Sequence, residues 1–82
     1  MPLIDAFNGI RIYVYYGDHN PPHIHAFYGE HEIKIIIESG IISSGSLPRK
    51  QKNRVFKWIY ENTEAVVNTF YLINPDLRWG RK

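Results

Sequence analysis

Residues 10–16 have the sequence Ile-Arg-Ile-Tyr-Val-Tyr-Tyr, in which the side chains of residues 10, 12, 14 and 16 share one face of an extended chain. This period of two predicts a strand with one buried face. Further strand-like stretches follow at 23–28, 32–37 and 41–46, with glycine in the connections. Because consecutive strands with short connections usually pair with each other, we expect an antiparallel meander of three or four strands.

The period of the apolar residues changes after Leu47-Pro48, and proline is well tolerated in the first turn of a helix. From Arg49 the apolar side chains recur at helical spacing. We expect a second, short helix from about Thr63, which Pro75 ends. The predicted fold is therefore α+β, with an antiparallel sheet of three to four strands followed by two C-terminal helices packed on one of its faces.

Composition narrows the class of protein. With 82 residues the chain is expected to form a single domain, comprising a β-sheet part (1–46), a helical part (47–74) and a basic tail (75–82). The 44% apolar content argues against disorder, and the chain has no apolar run long enough for a membrane span. The lack of cysteine excludes disulfides and thiolate metal sites. Without a secretion-signal pattern at its start, the protein is expected to be cytoplasmic.

Charge is divided unevenly along the chain, with a net −3 over residues 1–48 and +5 over residues 49–82. The positive part is concentrated at the predicted helix start. Such a face predicts contacts with nucleic-acid phosphates, for which we select Arg49, Lys50, Arg54 and Lys57. The alternative is a solvated face that balances the acids of a protein partner.

Three of the four histidines lie in the segment Asp18-His19-Asn20-Pro21-Pro22-His23-Ile24-His25. Alternation along a strand puts His23 and His25 on one face, with their rings roughly 6–7 Å apart. The stiff double proline is expected to hold His19 in a turn beside them. His31, the fourth histidine, is expected to be an exposed turn residue.

Three interpretations of this cluster stay open. As catalytic residues, His19, His23 and His25 would act as general acid and base of a metal-independent ribonuclease, with Arg49 or Lys50 holding a phosphate. As metal ligands, the same three histidines would bind a divalent transition metal, with Glu30 or Asp18 as a carboxylate ligand. In the third interpretation no cofactor is bound, and the histidines pack against aromatic rings to make a rigid loop.

The sequence also resembles a known family. The stretches that carry the resemblance are Pro2-Leu3-Ile4, the histidine–proline segment, Phe27-Tyr28-Gly29 and Leu47-Pro48-Arg49. Together they are similar to the small bacterial family numbered 4160 among the domains of unknown function. The resemblance implies partnership with a second small family, numbered 2442, in gene pairs like those of toxin–antitoxin modules. His19, His23, His25 and Arg49 match the family pattern.

Together these observations predict a toxin-like component of a toxin–antitoxin type module that acts on or binds RNA. The alternatives are a non-enzymatic module that binds protein or nucleic acid, and a small histidine-rich metal-binding domain. The expected partners are RNA, a small antitoxin-like protein or a second copy of the chain, without a membrane. An excess of large apolar side chains favours a partner surface, namely Tyr13, Tyr15, Ile36, Phe56, Tyr71 and Trp79.

Overall fold

The computed structural model describes residues 3–78, in which five strands precede two helices. The strands are β1 (Leu3–Phe7), β2 (Ile10–Tyr13), β3 (His23–Tyr28), β4 (His31–Ile36) and β5 (Ile42–Ser46). The helices are α1 (Arg49–Ile73) and α2 (Pro75–Arg78). The rest of the predicted basic tail, with Trp79, lies outside the described residues.

All five strands form one sheet in the order β1-β2-β3-β4-β5, and each neighbouring pair is antiparallel. The α+β class and the meander are therefore confirmed, whereas the prediction of three or four strands is wrong. The strand that was missed is β1. It joins β2 through Asn8-Gly9, both with positive φ (51° and 77°). Asn-Gly is the preferred two-residue hairpin turn, so the signal for β1 was present in the sequence.

The helical part has the predicted break near Thr63. The 25 residues of α1 form two helical stretches that meet in a kink at Asn62 (φ −128°, ψ 16°). The side chains of Asn62 and Thr63 donate hydrogen bonds to Trp58 O and Ile59 O, four residues back. Because these side chains bond to the preceding turn, they do not cap the second stretch. No helix among residues 3–78 has the length and apolarity to cross a membrane.

The core lies between α1 and one face of the sheet. Alternate residues of β2, β3 and β4 are buried against Val55, Ile59 and Val66 of α1. The prediction that Tyr16 lies on the buried face is wrong, because β2 ends at Tyr13 and Tyr16 is 80% exposed. The sheet face opposite α1 carries the side chains of residues 11, 13, 25, 27, 32 and 34, which are paired across β2, β3 and β4. This surface is called the open face below.

Candidate metal centre

The connection between β2 and β3 carries the site and is fixed by one asparagine at the end of α1. Asn74 is buried, with its side chain 7% exposed. Its Oδ1 accepts hydrogen bonds from the backbone N–H groups of Gly17 (2.8 Å) and Asp18 (3.0 Å). Its Nδ2 donates to Tyr15 O and Phe70 O, each at 3.0 Å. The carboxylate of Asp18 is thereby held at a defined position over the start of β3.

Asp18, His23 and His25 converge on a common point. His23 Nε2 lies 2.7 Å and His25 Nε2 3.7 Å from the same carboxylate oxygen, Asp18 Oδ2. The two imidazole rings have centroids 5.3 Å apart, close to the separation expected on one face of a strand. His23 is 2% exposed, and the side chains of His25 and Asp18 are about one-seventh exposed. The cluster is therefore largely shielded from water, with an opening on one side.

His23 is oriented by the backbone. Its Nδ1 lies 2.8 Å from Pro21 O. Because a carbonyl can only accept, Nδ1 carries the proton and Nε2 of the neutral ring presents a lone pair. That lone pair meets an acceptor oxygen of Asp18, and the buried Nε2 makes no hydrogen bond of acceptable geometry despite the 2.7 Å separation. Two acceptors in such close contact require a cation between them, either a metal ion or an added proton.

His25 lies in a similar setting. Its ring packs against that of Tyr15, with centroids 4.3 Å apart. Its Nδ1 lies 3.5 Å from Glu32 Oε2, which is too long for a strong hydrogen bond, and both of its ring nitrogens lack a well-formed partner. Burial lowers the pKa of His25, because desolvation disfavours the imidazolium more than the nearby carboxylates favour it. The neutral ring, which is the form that binds metal, is therefore preferred.

The three donor groups fit a transition metal. A metal ion with bonds of about 2.1 Å holds neighbouring ligand atoms roughly 3 to 3.5 Å apart. The separations of 2.7 and 3.7 Å bracket this range, and all three donor atoms lie within 4.8 Å of one another. Each histidine also has an acceptor near Nδ1, Pro21 O or Glu32, as is usual for metal-bound imidazoles. Two imidazoles and a carboxylate leave positions free for water or substrate.

Two other predicted ligands lie apart from this point. The His19 side chain is 74% exposed, and its Nδ1 lies 3.3 Å from the other Asp18 oxygen, Oδ1. Its ring centroid is 5.6 Å from that of His23, so His19 borders the cluster without joining the three converging atoms. Glu30 is exposed in the turn after β3. It therefore lies at the opposite end of that strand from His23, and the carboxylate that completes the cluster is Asp18.

The four predicted phosphate contacts lie far from the histidines. Arg49 and Lys50 are exposed in the first turn of α1, whereas Phe70, whose ring is 5.5 Å from that of His23, lies near its end. With a rise of 1.5 Å per residue the two ends are about 30 Å apart. Arg54 and Lys57 line a groove of about 640 Å³ between α1 and β1, together with Trp58. The structure therefore does not place Arg49 or Lys50 where either could hold a phosphate for these histidines.

Sequence reasoning missed two residues of this site, Glu32 and Asn74. Glu32 lies across from Phe27 in the β3–β4 register, and its diagonal approach to His25 follows only from that register. Of the aromatic rings expected to pack against the histidines, Tyr15 is the one that lies on His25. Asn74 is separated from Asp18 by 56 residues, and its only sequence signal is an asparagine after a helix end, which is a common cap.

The fold and this cluster define a small α+β domain with a candidate two-histidine, one-carboxylate metal centre. The family model for the domain of unknown function DUF4160 matches residues 9–70, about three-quarters of the chain. The chain therefore belongs to the DUF4160 family. No curated protein and no solved structure matches it. The matched segment contains Asp18, His23 and His25, whereas Asn74 follows it.

Proposed function

We propose that the protein binds one divalent transition metal through Asp18 Oδ2, His23 Nε2 and His25 Nε2. The observation that carries this proposal is the contact at 2.7 Å between two acceptors, the buried His23 Nε2 and the partly exposed Asp18 Oδ2. A metal ion would satisfy both, together with the unpartnered Nε2 of His25. When bound with open positions, such an ion polarises substrate oxygens and lowers the pKa of water.

A metal titration tests the proposal. Protein purified without a histidine tag and stripped with a chelator is titrated with Zn²⁺, Co²⁺, Ni²⁺ and Mn²⁺ by calorimetry. Co²⁺ absorption reports the coordination. We expect one ion per chain, with a Kd for the best metal of about 1 μM or below. Replacing a ligand should weaken binding at least about 100-fold, since even outer-shell partners change affinity by 10- to 100-fold.

The ligand variants are Asp18→Asn, His23→Gln and His25→Gln, and His31→Gln is the matched control. His31 is an exposed histidine at the other end of the β3–β4 hairpin. It should therefore keep wild-type affinity, and circular dichroism should show that all four variants fold. No stoichiometric binding of any of the four metals, or an equal loss in His31→Gln, would refute the metal centre.

A second candidate function is that of a toxin-like protein that acts on or binds RNA. The observation that favours it is the groove beside β1, where Arg54 and Lys57 lie next to the indole of Trp58. Cations and an aromatic ring together suit phosphates and bases. The acids Asp5 and Glu61 also line this groove, and Asp5 Oδ2 accepts a hydrogen bond from Trp58 Nε1 at 2.7 Å. In this function the cation between His23 and Asp18 is a proton, and the pair serves acid–base chemistry.

Growth of the producing cells tests this second function. Induced expression of the wild-type protein should arrest growth, and His25→Ala should relieve the arrest at equal protein level. His31→Ala again serves as the control and should remain toxic. Normal growth with the wild-type protein would argue against a toxin and leave the metal-binding function to be judged by the titration alone.

A further inference from the structure

Three aromatic rings form a continuous row that begins at the candidate metal centre with Tyr15, which follows β2, and continues onto the open face of the sheet. Tyr15 contacts His25, with centroids 4.3 Å apart. Tyr13 follows at 6.2 Å from Tyr15, and Phe27 follows at 5.4 Å from Tyr13. All three rings are half-buried, so each retains exposed surface. Among residues 3–78, α1 packs its core side chains on the opposite face, and it meets this face only near its C-terminal end, where Phe70 lies beside His23. We call Tyr15, Tyr13 and Phe27 the aromatic row.

Positive charge accompanies this row on both sides. The strand register places Arg11 directly across from Phe27, and its guanidinium lies 5.6 Å from the centre of the Phe27 ring. Lys34 lies across from His25 on the other neighbouring strand. The acid Glu32 lies directly across from Phe27 in the same register, and its carboxylate is 3.5 Å from His25 Nδ1. Arg11 and Lys34 thus flank the row, and the carboxylate of Glu32 is turned toward the centre.

We propose that the open face binds single-stranded nucleic acid and delivers it to the Asp18–His23–His25 centre. Bases stack on aromatic rings without strong sequence preference, and cations beside the rings contact the phosphates. An antiparallel sheet with aromatic rings on its central strands presents room for about two or three bases. Delivery of the nucleic acid rests on the proposed metal centre, whereas binding of the nucleic acid to the open face is tested independently of it.

Position favours this face over the basic start of α1. The aromatic row reaches the centre through a direct ring contact between Tyr15 and His25. Arg49 and Lys50 lie about 30 Å along α1 from the residues that contact His23. A nucleic acid bound only at the start of α1 would therefore not reach the metal ligands unless it also crossed the sheet. Variants of the open face and variants of the start of α1 are therefore expected to differ in their effect on binding.

Fluorescence anisotropy with labelled oligonucleotides tests the proposal. The probes are a single-stranded RNA of about twelve nucleotides, a DNA of the same sequence, and a blunt duplex. We expect both single strands to bind more tightly than the duplex. Tyr13→Ala and Phe27→Ala should each weaken binding by about 5-fold or more, the range found for loss of one base-stacking ring. Phe27→Tyr should restore it, and Arg11→Gln should reduce the salt dependence of binding.

Tyr60→Ala is the matched control, because Tyr60 is 86% exposed on α1, away from the open face. It should leave binding unchanged. Wild-type zinc affinity and circular dichroism of the Tyr13 and Phe27 variants would show that their centre and fold are intact. Absence of single-strand binding at low salt, preference for duplex, or loss in Arg54→Gln/Lys57→Gln but not in Phe27→Ala would overturn the inference. If binding follows the aromatic row while no metal binds, only the metal centre is refuted.

Discussion

The two ends of α1 carry charged and titratable groups in opposite settings. At the C-terminal end, Asn74 fixes a connection whose Asp18 meets two histidines with unpartnered ring nitrogens. At the N-terminal end, Arg49 and Lys50 are exposed to solvent. Exposed cations satisfy their hydrogen bonds with water, whereas buried donors and acceptors depend on what the protein or a ligand supplies.

Only one of two similar sequence signals in this chain marks a candidate site. Both the histidine segment and the basic segment are dense clusters of one kind of residue. Only the histidine segment is shielded, held by backbone and side-chain hydrogen bonds, and left incomplete. A cluster that the fold orders yet leaves unsatisfied is the better evidence for a ligand.

The largest effect is expected from breaking the attachment of the loop to α1. Asn74→Ala removes hydrogen bonds to Tyr15 O, Phe70 O, Gly17 N and Asp18 N. Because some of these groups would be left without partners, we expect a loss of about 2 kcal/mol in the free energy of unfolding. Urea denaturation measures it, and metal affinity should fall as Asp18 becomes mobile. Unchanged stability together with unchanged affinity would show that the loop holds its position without Asn74.

Glu32→Gln, near the same end of α1, is expected to have a smaller effect, namely on metal affinity. The carboxylate lies 3.5 Å from His25 Nδ1 and would tighten on it when Nε2 binds metal. Loss of such an outer-shell partner should weaken metal binding by about 10-fold with the fold intact. Calorimetry measures the affinity, and Glu30→Gln, an exposed acid in the β3–β4 turn, is the control. Equal effects in both variants would indicate a general electrostatic effect and no specific role for Glu32.

Acidification should destabilise the metal-free protein through His25. Its pKa is lowered in the folded chain by burial, so below the ordinary imidazole pKa the unfolded chain binds a proton that the folded chain does not. His25 therefore contributes stability above that pKa, and the contribution is lost as the pH falls through the folded value. The other charged or ionisable side chains that face this ring are His23, Asp18 and Glu32.

Midpoints of urea unfolding, measured in chelator at about pH 8 and about pH 5.5, test this direction of the change in stability. The difference between the two midpoints should shrink in His25→Gln and persist in His31→Gln. An equal difference between the two midpoints in His25→Gln and in the wild type would contradict the direction given for His25.

The smallest effect is expected from the other end of α1. Arg49→Gln and Lys50→Gln change exposed side chains, so the free energy of unfolding should stay within about 0.5 kcal/mol of the wild type. Metal affinity should also be unchanged, because these residues lie at the far end of the helix. A tenfold change in metal affinity would show that the two ends of α1 are coupled.

Much of this architecture follows from local sequence patterns. Three patterns each extend over only a few residues: the alternation in β2 and β3, the branched residues of β4 and the helical spacing after Pro48. The bounds predicted for β3 are those found in the structure. The pairing of His23 with His25 follows in the same way. The break predicted near Thr63 is present as the kink at Asn62, although the Asn62 side chain bonds back to Trp58 O and does not cap the second stretch.

The remaining parts of the site depend on contacts between distant residues. Asp18 rather than Glu30 supplies the carboxylate because the connection folds back over β3, and Asn74 holds it there. Glu32 reaches His25 only through the β3–β4 register. Neither contact leaves a periodic signal, and so the sequence predicts the histidines and not the groups around them.

His23 and His25 belong to the central strand of the sheet, where they alternate with the core residues Ile24 and Ala26. A ligand bound to these imidazoles would therefore restrain a segment that pairs with β4 along its whole length and with β2 from His25 onward. Opening of this segment requires strand separation, one of the costliest fluctuations available to a small domain. Amide hydrogen exchange along β3 would therefore slow further on binding.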